Sequence, residues 1–175
     1  RLSFEKLTSG VFSAFFQRPG HDYRQLKTLS IKLAESWGEP RAIDLNGLAV
    51  LPLLETLSLD GVGVATDLTP LRTLAALRHL TIFCETGCPS LDPVPAAKLE
   101  RLEIVCSEEC SEFGLWGLLE DQTIKHLRLD GSTSSHLNLS PLEGLGITKL
   151  VLNFTDPFCD MLGCSFLPRL EVLEI

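Results

Sequence analysis

With 175 residues, 45% of them hydrophobic, the chain carries enough apolar material for one packed core and too much for a disordered segment. Its net charge of -8 at pH 7 lacks the excess of lysine and arginine that a phosphate backbone demands, which argues against a nucleic-acid partner. The longest run without a polar side chain, residues 48–54, falls far short of the ~20 residues needed to cross a bilayer, so no membrane span is expected.

The first element in chain order is Leu2-Ser3-Phe4, whose apolar-polar-apolar alternation is that of a short strand with one face on a core. Apolar residues at 7, 11, 12, 15 and 16, with Thr8 and Ser9 as candidate caps, predict a short helix over 7–17. From Leu26 onward a six-residue frame recurs, apolar at its first, fourth and sixth places: Leu26/Leu29/Ile31, Leu54/Leu57/Leu59, Leu77/Leu80/Ile82, Leu99/Leu102/Ile104, Ile124/Leu127/Leu129, Ile147/Leu150/Leu152 and Leu170/Leu173/Ile175. The middle leucines stand 22 to 28 residues apart, and Leu2-Ser3-Phe4 fits the tail of an eighth frame. A single such unit cannot bury its apolar edge, so the units must stack, sharing one core and lining their strands into a parallel sheet.

The connections between frames differ. Residues 57–71 and 127–142 align closely: in both, Asp-Gly is expected to turn the chain off the strand, and Thr69-Pro70 or Ser140-Pro141 to start a short backing turn, which points to internal duplication. Three prolines within 88–95 exclude an ordinary helix there, while Phe113, Trp116 and Leu119 predict a second short helix over 112–119. The whole of 1–175 reads as one domain of about seven to eight repeats. It opens at Arg1 inside a repeat and stops at Ile175 on a frame position, as expected of a fragment of a longer chain.

Through these frames the chain resembles the leucine-rich repeat family over essentially its full length. The resemblance implies an α/β solenoid, a horseshoe with a parallel concave β-sheet and short helices, turns or extended segments on the convex side. It also implies a non-catalytic module, or scaffold, that binds another protein on its concave face. Where the family frame continues to Asn or Cys, this chain has Ala34, Val62, Glu85, Ser107 and Ser132. That departure and the unequal repeat lengths are similar to the irregular repeats of F-box substrate receptors and of bacterial repeat proteins. Two alternatives follow: the substrate-receptor arm of an F-box ubiquitin ligase, and an extracellular recognition domain.

Catalytic patterns find no support. His21, His79, His126 and His136 show no zincin spacing, no serine sits in Gly-x-Ser-x-Gly, and Gly61-Val-Gly63 lacks the third glycine or the Lys-Ser/Thr of a phosphate loop. No catalytic residue and no cofactor is expected. The cysteines are more specific, because Cys84-x3-Cys88 and Cys106-x3-Cys110 each begin two residues after the sixth frame place in successive repeats. Stacking at the ~4.8 Å strand spacing brings the four sulfurs together. The reading adopted is a cluster of reduced thiols with no metal, against which stand disulfides and a zinc site. Asn138-Leu-Ser140 and Asn153-Phe-Thr155 match the glycosylation pattern, but a glycan on Asn153 would obstruct the concave side, so a cytoplasmic setting is favoured over a secreted one.

Frame places two, three, five and seven should face solvent across the sheet. Place two alternates in charge from Lys27 to Glu55 to Arg78 to Glu100, as a ladder of exposed pairs would. Place three forms a basic stripe through His79, Arg101, His126 and Lys149, with Arg128 beside it at place five; place seven adds Phe83 and Val105. This face carries little of the net negative charge, so it is expected to take a protein ligand with an acidic element, the seven residues His79, Phe83, Arg101, Val105, His126, Arg128 and Lys149 forming the partner-binding set.

Overall fold

Alternation along a strand sends the fourth and sixth residues of each frame to one face and the third, fifth and seventh to the other. The protein, a computed structural model describing residues 2–7, 15–16, 22–33, 44–91, 99–109, 123–132, 137–154, 159–160 and 167–175, builds a strand on every frame. These are β1 (Leu2–Leu7), β2 (Thr28–Leu33), β3 (Thr56–Gly63), β4 (His79–Thr86), β5 (Arg101–Glu109), β6 (His126–Ser132), β8 (Lys149–Phe154) and β10 (Val172–Glu174), while β7 (Leu137–Asn138) and β9 (Cys159–Asp160) pair separately.

The eight frame strands lie parallel, in chain order, in one sheet. Leu29, Leu57, Leu80, Leu102, Leu127, Leu150 and Leu173 face one another in a single row, and Leu2 opposite Leu29 adds the eighth frame. Such a sheet, one strand per repeat, is a leucine-rich-repeat solenoid. Its repeats are clipped together just before the strands: the Lys27 carbonyl accepts from the N–H groups of both Glu55 and Thr56 at 2.9 Å, and the same double acceptance recurs at Glu55, Arg78, Glu100, Lys125 and Thr148.

Behind the sheet, among the described residues, three 3-10 helices return the chain: η1 (Asn46–Val50), η2 (Thr69–Thr73) and η3 (Ser140–Leu142). Their origin is a leucine every third residue. Leu45, Leu48, Leu51 and Leu54 are all buried, as are Leu68, Leu71, Leu74 and Leu77, and then Leu139, Leu142 and Leu145. Three residues per turn is the 3-10 period, so one side of the tight coil faces the core throughout. Each leucine N–H donates to the carbonyl of the leucine before it, from Leu48 to Leu45 through Leu54 to Leu51, and from Leu71 to Leu68 through Leu77 to Leu74. Asp44 and Asp67 start two of these stairs by accepting from the N–H of Asn46 at 3.0 Å and of Thr69 at 2.8 Å. Pro70 and Pro141 sit in the first turn, where a missing N–H costs nothing.

Several expectations change at this point. β1 runs through Leu7, so the predicted first helix does not begin there; Phe15 and Phe16 are helical, and the rest of that helix lies outside the described residues. There the two rings meet Phe4 and Tyr23 edge-on or tilted, with centroids 4.5 to 6.1 Å apart, and form an aromatic plug on the first repeats. The second predicted helix, over 112–119, also lies outside the described residues, as do 92–95 of the proline segment. Residues 88–91 are neither helix nor strand, as the prolines require. Asp60-Gly61 does not end its strand. Gly61 has φ of +82° and is skipped in the pairing, Asp60 facing Phe83 and Val62 facing Cys84, so it is the extra residue of a β-bulge. No helix among the described residues is long and apolar enough to cross a membrane.

Candidate functional site

The third frame places stack in register as Thr28, Thr56, His79, Arg101, His126, Lys149 and Val172. The expected basic stripe is therefore one physical column, its members a strand spacing of about 4.8 Å apart. The fifth places form the next column, with Thr81, Glu103, Arg128, Val151 and Glu174 in sequence. Between the two columns lies a depression of ≈ 230 Å³ lined by Arg101, Glu103, His126, Arg128, Lys149, Val151 and Glu174. Four of the seven predicted residues meet there. His79 stands next to Arg101 in its column but not in the depression, with its Nδ1 3.5 Å from Thr56 Oγ1.

Glu103 and Glu174 were not foreseen, and they change the electrostatics. Arg101 and Glu103 form an ion pair two residues apart on the same strand, with Arg101 Nε donating to Glu103 Oε1 at 2.5 Å. Arg128 grips Asp130 in the same way, its Nε within 3.0 Å of both carboxylate oxygens and its Nη2 donating to Oδ2 at 2.5 Å. Lys149 Nζ reaches Glu174 at 2.5 Å. Each cation of the depression is thus matched by a carboxylate, but in the two arginine pairs the partners differ in depth. The Glu103 and Asp130 side chains are only 17% and 16% exposed, whereas Arg101 and Arg128 are 55% and 43% exposed. In each pair the acid is the covered partner and the guanidinium the exposed one. The hydrogen-bonded Asp130 carboxylate also raises the pKa of Arg128 beyond its ordinary value. A guanidinium has five N–H donors, so a pair that uses two or three leaves others directed outward.

Phe83 and Val105 are neighbours in the seventh-place column, between Asp60 and Asp130. Phe83 is 38% exposed, so it stands on the sheet rather than folding into the core. Four residues along a strand separate this column from the third, about 13 Å. Asn153, the second sequon asparagine, belongs to the same column, and its Nδ2 donates to Asp130 Oδ1 at 2.9 Å. The place-two ladder is present as Lys27–Glu55 at 2.8 Å and Arg78–Glu100 at 2.5 Å. Exposed pairs of this kind are screened by solvent and add little stability, so they align repeats rather than hold them.

On the other side of the strands, Cys84 and Cys106 face each other across β4 and β5. Their sulfurs and that of Cys88 all lie within 4.8 Å of one another. The predicted cluster therefore exists for three of its four members, and Cys110 lies outside the described residues.

No protein-family profile matches the sequence, and no curated protein is recognisably similar to it. Among solved structures the chain is similar to internalin C2 of Listeria monocytogenes, with 22% identity and a TM-score of 0.47 over 86% of this chain and 62% of that one. A second internalin of the same organism aligns over 86% of this chain and 54% of its own, with 16% identity and a TM-score of 0.32. The chain thus spans between half and two thirds of these proteins. The leucine-rich-repeat assignment stands on the in-register strands themselves.

Proposed function

We propose that the chain is a non-catalytic protein-interaction module whose partner lies across the solvent face of the sheet and presents an acidic element to Arg101, Arg128 and Lys149. The observation that carries this reading is the distance between two unlike features on one face, the cationic column and the exposed Phe83 ring about 13 Å along the strands. A small metabolite fills one depression; an extended protein segment is what reaches both. Guanidiniums paired with largely covered carboxylates supply donors at the surface, and an exposed aromatic supplies apolar area that a partner would desolvate. A cytoplasmic setting is the one in which clustered thiols stay reduced.

The test is selection of peptides from a random displayed library on the chain, then measurement of their binding to Arg101→Glu/Arg128→Glu and to Glu143→Lys, an exposed change beside η3 on the connecting side. Enrichment of Asp and Glu, with binding lost only in the double variant, supports the reading. Ligands without acidic residues that bind both variants as they bind the parent would remove it.

A further inference from the structure

Three sulfurs converge at the edge of the core where the neighbouring repeat has none. In the row that continues the strands, buried Val62 faces Cys84 and Cys84 faces Cys106, so one apolar residue is followed by two cysteines that are 2% and 5% exposed. All three cysteines carry thiols. The third, Cys88, comes from beyond the end of β4. Gly87, with φ of +77°, turns the chain in a conformation that other residues rarely adopt and sends the Cys88 side chain back toward the pair. A cysteine used only as a small apolar residue needs no such turn.

We propose that Cys84, Cys88 and Cys106 are thiolate ligands of one zinc ion. A tetrahedral site with Zn–S bonds of about 2.3 Å spaces its sulfurs about 3.8 Å apart, so sulfurs already within 4.8 Å close on the metal by small side-chain rotations. Soft thiolates select zinc over magnesium or calcium, and three of them leave one corner of the tetrahedron for a further ligand. Cys88 is half-buried, which opens the site to solvent on one side and supplies the entry path. Binding would tie β4, β5 and the turn after β4 into one unit, and each thiol that becomes a thiolate releases its proton. The sequence reading of no metal rested on the unusual Cys-x3-Cys spacing, and it is the turn at Gly87 that makes that spacing convergent.

The experiment is titration of the reduced, metal-free chain with cobalt(II) as a spectroscopic probe, followed by displacement with zinc. Sulfur-to-cobalt charge-transfer bands and intense tetrahedral d–d bands, saturating at about one equivalent and bleached by zinc, are expected. Cys88→Ser, at a position that is not part of the buried core, should weaken binding by about a hundredfold or more, beyond what loss of an outer-shell group does, while Cys159→Ser should bind as the parent does. A second readout on the unaltered chain does not depend on any variant folding: zinc should slow alkylation of Cys84, Cys88 and Cys106 and leave Cys159 unchanged. Absent thiolate bands, bands that survive Cys88→Ser at full affinity, or alkylation rates indifferent to zinc would each overturn the site.

Discussion

The stair from Leu68 to Leu77 and the segment from Cys84 to Leu91 both lie between one frame and the next, in successive repeats, and they finish the core by different means. The first uses a leucine every third residue, hydrogen-bonded in sequence and wholly buried. The second leaves its strand through a glycine turn, brings Cys88 beside Cys84, and buries Leu91 in the core. A solenoid needs only that each repeat cover its neighbour. The connection after a strand is therefore free to carry packing alone, as in η2, or the ligand set proposed beside β4.

The largest expected effect lies on the packing side of that comparison. Leu71→Ala and Leu102→Ala remove fully buried side chains and should each cost about 2–5 kcal/mol by urea denaturation, while Thr81→Ala, on the solvent face, should stay within about 0.5 kcal/mol. Equal losses at Leu71 and Thr81 would mean that the stair does not bury what it is shown to bury. The sulfur side should respond to metal instead. Zinc at a hundredfold excess over its dissociation constant should stabilise the chain by about 2.7 kcal/mol, and a chelator should reverse this in the parent and in Leu71→Ala alike, but not in Cys88→Ser.

Smaller and separable effects are expected with pH. Asp67 has its pKa lowered by hydrogen bonds from Thr69, and Glu55 by its hydrogen bond and charge pairing with Lys27. Both carboxyls are more acidic folded than unfolded, so their contributions are complete above the ordinary carboxylate range and fade as pH falls through and below ~4. Salt should distinguish them: the Glu55 share shrinks at high ionic strength, and the Asp67 share, held by hydrogen bonds, persists. Thermal melts across pH at low and high salt, with Asp67→Asn and Glu55→Gln, read both. For partner binding, Phe83→Ala should mainly speed dissociation, and Arg101→Glu/Arg128→Glu should mainly slow association and flatten its salt dependence.

The sheet was legible in the sequence because a period of two admits one inward set, and the frame leucines mark it without ambiguity. The columns on the opposite face followed, with them the basic stripe and the Cys84–Cys106 pair. What escaped has physical reasons. The leucine stairs repeat at three residues, a period distinct from the helical spacing near 3.6. Asp60-Gly61 looks like a turn, yet a glycine at positive φ serves a bulge equally well, and only the pairing partner distinguishes them. The place-two alternation announces charge pairs down the stack, whereas the same-strand pairs Arg101–Glu103 and Arg128–Asp130 are marked only by an i, i+2 spacing on one face.

The claim that the sheet face is the binding surface is tested most directly by the side-chain Nε–Hε resonances of its arginines. On titration with an acidic peptide selected on the chain, the signals of Arg101 and Arg128 should shift and saturate together, while that of Arg72, exposed on η2 behind the sheet, stays in place. A shift at Arg72 with Arg101 and Arg128 unmoved would place the partner on the opposite side of the solenoid and contradict the account.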